Sequence, residues 1–208
     1  MPQFFLMIDS KKWLFVICIF LLNTLISDAV AIESSSDPCA TFVTSKNKRD
    51  YRKCIGLIRE AHDSNSSFNL NWLKNPNLQN KFTHHVASGE LLFMKLAFKI
   101  IPFLDGELAE IDLMSLGQSI TASPNIFLNE LQRHYDDVAS RDALDGLVGN
   151  VGPEYSDWFV KRVRILKKRR AAIRSVKDPE LQNIRKIVIN ELNQQIKKIE
   201  RSLKAEMS

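Results

Sequence analysis

Glycine and proline are scarce in this chain, seven of each in 208 residues, and no stretch alternates apolar with polar residues as a half-buried strand does. These shortages exclude a β-rich domain. The nucleophile signature G-x-S-x-G is absent, and the only glycine-spaced stretch, Gly146, Gly149 and Gly152, has no P-loop lysine and no flanking strand. A helix stop, a turn and a restart at Pro153 account for that stretch. Histidine is scarce too, and its one adjacent pair, His84-His85, is unsuited to chelation: neighbours on a helix point about 100° apart. A solvated loop or helix start is the expectation there. No catalytic residue, metal site or cofactor is assigned from the sequence.

What the chain has is helix-forming composition. Apolar residues make up 45 % and charged residues 25 %, and long stretches rich in Leu, Ile, Lys, Glu and Arg favour helix. The predicted fold is all-α: a small multi-helix bundle or short helical array with two long C-terminal helices. One domain is expected over 32–208. It comprises a disulfide-pinned hairpin over 37–63, short helices over 88–150, and two long helices over 153–207.

The first thirty-one residues predict a cleavable export signal. Lys11 and Lys12 precede an apolar run from Trp13 to Leu22, and Ala29-Val30-Ala31 supplies the small-x-small pattern for cleavage. A membrane anchor needs about 20 apolar residues, and Asn23-Thr24 interrupts this run. The expected location is therefore periplasmic or secreted, with the remaining chain starting at Ile32.

Of three cysteines, Cys18 falls in that signal, which leaves Cys39 and Cys54 to form one disulfide in an oxidising compartment. On one continuous helix they would stand roughly 22 Å apart, beyond disulfide reach. The chain must turn between them, at Ser45-Lys46-Asn47-Lys48. Asp37-Pro38 supplies a cap and a first-turn proline for the first helix, and a second helix is expected from about Asp50. Trp72 and Leu73 suggest a short helix ended by Asn75-Pro76.

Candidate caps at Ser88, Asp105, Ser123 and Ser140 suggest a 35-residue, two-helix period. Few other positions agree with it, and any set of short helices shows similar spacing. Gly152-Pro153 is expected to open a long helix carrying Tyr155, Trp158, Val163, Leu166 and Ile173. Asp178-Pro179 opens the next. Its residues Leu181, Ile184, Val188, Leu192, Ile196, Ile199 and Leu203 recur at steps of three and four and mark a buried stripe.

Charge is divided unevenly. Between Trp158 and Lys177 there is no acidic residue, while Lys161, Arg162, Arg164, Lys167, Lys168, Arg169, Arg170 and Arg174 crowd one helix. Residues 32–157 carry a net charge of −5 and 158–208 a net charge of +10. Lys161, Arg162, Lys167, Arg169 and Arg170 are the candidate binding residues, and the acidic helices between Asp105 and Asp145 are a second candidate surface. The expected function is non-enzymatic binding of a protein or an anionic envelope component. Nucleic acid is disfavoured, because no aromatic residues interleave the run to stack bases. An internal alternative docks the basic helix on the acidic region itself. Two rival functions remain. One is a metal-dependent hydrolase using Glu130, His134 and Asp137, which share a helical face. The other is peripheral membrane contact through Tyr155 to Arg170.

Overall fold

The computed structural model describes residues 37–139, 143–151 and 159–206. The expected export signal, the candidate cap Ser140 and the helix opening at Gly152-Pro153 with Tyr155 and Trp158 lie outside the described residues. The fold is all-α, with no strand among the described residues.

The chain opens as a stapled hairpin. The Asp37 carboxylate accepts from the amides of Cys39 and Ala40 and starts α1, Pro38–Ser45; such a cap contributes about 1 kcal/mol. Lys46 in the left-handed region ends α1, and Asn47 caps Arg49 to start α2, Lys48–Asp63. This turn falls where the two cysteines require it. Cys39 and Cys54 form the disulfide, Cα to Cα 4.8 Å apart, with both residues fully buried.

A 3-10 turn at Asn71–Lys74 buries Trp72 and Leu73. Asn75-Pro76 does end that turn, but it also begins α3, Pro76–Ala87, where Asn75 caps the amides of Asn77 and Leu78. Leu78, Phe82 and Val86, at steps of four, bury one side of α3. Ser88, expected to open a helix, instead closes α3, and α4, Leu91–Ile100, starts behind Glu90. Gly89 makes the connection because its φ is +78° and because a side chain there would collide with Ser123. Phe42, Tyr51, Phe82, Phe93 and Trp72 interlock across α1 to α4, with ring centroids 4.6–6.3 Å apart.

Next come a 3-10 turn at Ile101–Phe103, α5 (Gly106–Ala122), α6 (Pro124–Arg133), α7 (Tyr135–Ala139) and α8 (Leu144–Gly149). α4 and α6 have ten residues each, but α5 has seventeen whereas α7 and α8 have five and six. Helix lengths therefore do not repeat at 35 residues. Gly146 sits inside α8, and Gly149 is its last residue, so the helix stops within the glycine-spaced stretch as expected. The restart at Pro153 lies outside the described residues. A Cβ at Gly149 would crowd the Gln195 side chain at 3.3 Å, whereas one at Gly146 would make ordinary contact with Leu113 of α5.

Two long helices complete the fold: α9, Phe159–Ser175, and α10, Gln182–Glu206, entered through an Asp178-capped 3-10 turn at Pro179–Leu181. They run antiparallel, since Lys167 meets Glu200 while Arg170 meets Asn193. Leu181, Ile184, Val188, Leu192, Ile196 and Ile199 are all buried, and Leu203 is partly so. Burial of each such side chain contributes about 1.5–3 kcal/mol. The stripe joins Phe42, Phe98, Leu116, Phe127 and Leu166 in one continuous core.

Candidate functional site

Along α9, steps of three and four separate an inner line from an outer face. The inner line is Val163, Leu166, Arg169 and Ile173, all buried. The outer face holds Val160, Arg164, Lys167, Lys168, Ala171 and Arg174, all exposed. Val160 stands 63 % exposed at the start of this face. Val160, Val163, Arg164, Lys167, Lys168 and Ala171 line a shallow depression of about 470 Å³.

The five candidate binding residues separate on this geometry. Lys167 is on the outer face and pairs with Glu200 at 2.9 Å. Lys161 and Arg162 are half-buried, and the Arg162 Nε is shielded from solvent without a hydrogen-bond partner among the described residues. Arg170, also half-buried, donates to Asn193 Oδ1 at 2.7 Å and ties α9 to α10.

Arg169 requires correction. It is 1 % exposed, donates through Nη1 to the carbonyl of Val148 at 2.7 Å, and is closed off from any partner outside. Its register position, between Leu166 and Ile173, places it on the inner line. This carbonyl lies in the last turn of α8, where the negative end of a helix favours a cation. Gly117 of α5 makes the room: a Cβ there would stand 2.6 Å from the Leu147 carbonyl oxygen and 3.0 Å from Arg169 Nη1. Burial pulls the guanidinium down to about 10, still charged at neutral pH.

Arg164, Lys168 and Arg174 make no hydrogen bond or ion pair among the described residues. α9 does dock on α5 and α8 of the acidic middle region, but among the described residues no acidic side chain of that region pairs with these three cations. Asp105, Glu107, Glu110, Asp136 and Asp145 are exposed. Asp112 is buried in α5 with neither carboxylate oxygen hydrogen-bonded among the described residues, and burial raises its pKa well above the usual range.

The acidic and histidine face is only partly assembled. α6 ends at Arg133, and the chain bends at His134 before α7, which breaks the register that aligned Glu130 with Asp137. His134 Nδ1 lies 3.2 Å from Asp137 Oδ2, and its ring stacks on Phe98. Glu130 turns away and accepts from Arg133 Nη1 at 2.9 Å. It lies near Tyr51, whose hydroxyl is pushed up to about 12 by burial and, second, by this carboxylate. Among the described residues, no three His, Cys, Asp or Glu side chains are grouped to hold a metal ion.

His84-His85 is neither loop nor helix start, but the last turn of α3. His84 is exposed, whereas His85 packs on Phe93 and reaches Glu90 at 2.6 Å. Missing from the sequence reading is a cleft of about 380 Å³ lined by Ile55, Ile58, Arg59 and His62 of α2, together with Lys99, Pro102, Arg133, His134, Asp136 and Asp137. The only local signal was the spacing of Ile55, Ile58, Arg59 and His62 on one face of α2. No protein-family model, curated protein or solved structure matches this chain.

Proposed function

We propose that the protein is an exported, non-enzymatic binding protein that engages an anionic partner, a protein or an envelope component, through the outer face of α9. The observation that carries this reading is the set of exposed cations Arg164, Lys167, Lys168 and Arg174, three of them unmatched among the described residues. A concentrated field of one sign speeds and orients encounter with a surface of the other. Export is supported by the buried Cys39–Cys54 disulfide, a bond that persists in oxidising compartments. No described helix is long and apolar enough to cross a membrane.

The test is native mass spectrometry of the protein isolated gently from its host's exported fraction, beside a variant carrying Arg164→Glu, Lys167→Glu and Lys168→Glu. A co-purifying species present with the natural chain and lost from the variant is the expected result. Equal recovery from both would sink the reading. Val160, bare beside these cations, favours one second reading, contact with an anionic lipid surface. Sedimentation with anionic but not neutral vesicles would select it.

A further inference from the structure

We propose that the cleft between α2, the end of α4 and the α6–α7 bend binds a small organic oxyanion: a carboxylate or a phosphate monoester carrying one apolar group. Four helical segments frame it, and its volume of about 380 Å³ suits a single small molecule. Ile55, Ile58 and Pro102 supply an apolar wall. Ile55, Arg59 and His62 recur at steps of four and three on α2, so a rigid helix positions both the wall and a guanidinium.

The charge distribution gives the ligand its sign. Arg133 is matched by Glu130, and His134 by Asp137. Arg59 and Lys99 line the same cleft and have no hydrogen bond or ion pair among the described residues. Lys99 is half-buried, where an unmatched charge is costlier than in open water. A ligand oxyanion between these two would supply the missing partner, while its apolar group covers Ile55 and Ile58. Asp136 and Asp137, lining the cleft from α7, penalise a polyanion and favour one compact charged group. A cation fits less well, because the unmatched charges lining the cleft are two cations, Arg59 and Lys99, against one carboxylate, Asp136, among the described residues.

The site is independent of the α9 surface, which allows a direct test. Phenyl phosphate, inorganic phosphate and benzyl alcohol are titrated into the full chain by calorimetry. The expected order is phenyl phosphate tightest, with inorganic phosphate and benzyl alcohol each weaker by about tenfold. The double variant Arg59→Ala, Lys99→Ala should bind phenyl phosphate at least about tenfold more weakly. The α9 reversal variant should bind it within about twofold of the natural chain. If the alanine pair lowers the thermal midpoint, Arg59→Gln with Lys99→Met replaces it, preserving volume without charge. Equal affinity in either double variant overturns the proposal. So does benzyl alcohol matching phenyl phosphate, an α9 reversal that abolishes binding, or no saturation below roughly 10 mM.

Discussion

Two helical hairpins bracket the described chain, and they are held by different means. α1 and α2 are joined through a two-residue turn, a buried disulfide and the Phe42–Tyr51 ring contact, so the hairpin is closed largely by its own residues. α9 and α10 are zipped by aliphatic side chains and two polar ties, and the pair is keyed into the rest by Arg169. The first hairpin turns its bonding inward. The second spends its apolar residues on one line and leaves a cationic face outside. A helix whose outer cations go unmatched among the described residues draws its stability from its neighbours, and here α5 and α8 supply it.

Breaking the covalent closure gives the largest expected change. Cys39→Ser with Cys54→Ser removes a link across a separation of 15 residues and should cost about 3 kcal/mol. Chemical denaturation with and without reductant checks it: the natural chain loses that stability on reduction, and the double variant does not respond. Gly117→Ala attacks the keying of the second hairpin. A methyl group 2.6 Å from the Leu147 oxygen must displace α8 or Arg169, at about 2 kcal/mol. A denaturation midpoint unchanged by this substitution would show that the notch is not a constraint.

Asp112 tests the buried polar side of α5. Its folded pKa is raised above the unfolded value of about 3.9. The folded chain therefore holds the proton more tightly, and stability falls as pH rises from about 4 toward the folded pKa. Asp112→Asn should leave stability at pH 3.5 nearly unchanged and raise it by about 1 kcal/mol at pH 7. Parallel melts at the two pH values decide it; a gain equal at both points to packing rather than titration. The smallest effect belongs to Lys167 and Glu200, a half-exposed pair worth about 0.3 kcal/mol and screened by salt. A double-mutant cycle showing much stronger coupling would mean that the outer face of α9 also serves as an internal tie.

The parts legible in the sequence were those fixed by local chemistry. Asp37-Pro38 and Asp178-Pro179 carry caps that work within two or three residues. The two cysteines force a turn by distance alone, and the stripe from Leu181 to Ile199 is long enough to declare its buried side. α3 escaped because Asn75-Pro76 reads equally as a stop, and its apolar side rests on three residues among asparagines. The burial of Arg169 was half visible, since it occupies a core register position between Leu166 and Ile173. What receives it, a glycine 52 positions earlier and the end of a six-residue helix, is a tertiary arrangement with no local trace. The cleft around Lys99 was hidden for the same reason. The bend at His134 likewise undid a helical face that spacing alone had drawn.

The short reach of the Cys39–Cys54 link has a consequence for the order of assembly. Its two ends are only 15 residues apart along the chain, so the loop between them closes at less entropic cost than a longer one and needs none of α5, α8 or α10 in place. Arg169, by contrast, can be seated only after Gly117 and Val148 have come together. A chain emerging from its N-terminus would meet these events in that sequence. The stapled hairpin can serve as an early platform, and the cationic face of α9 acquires its fixed outward direction among the last.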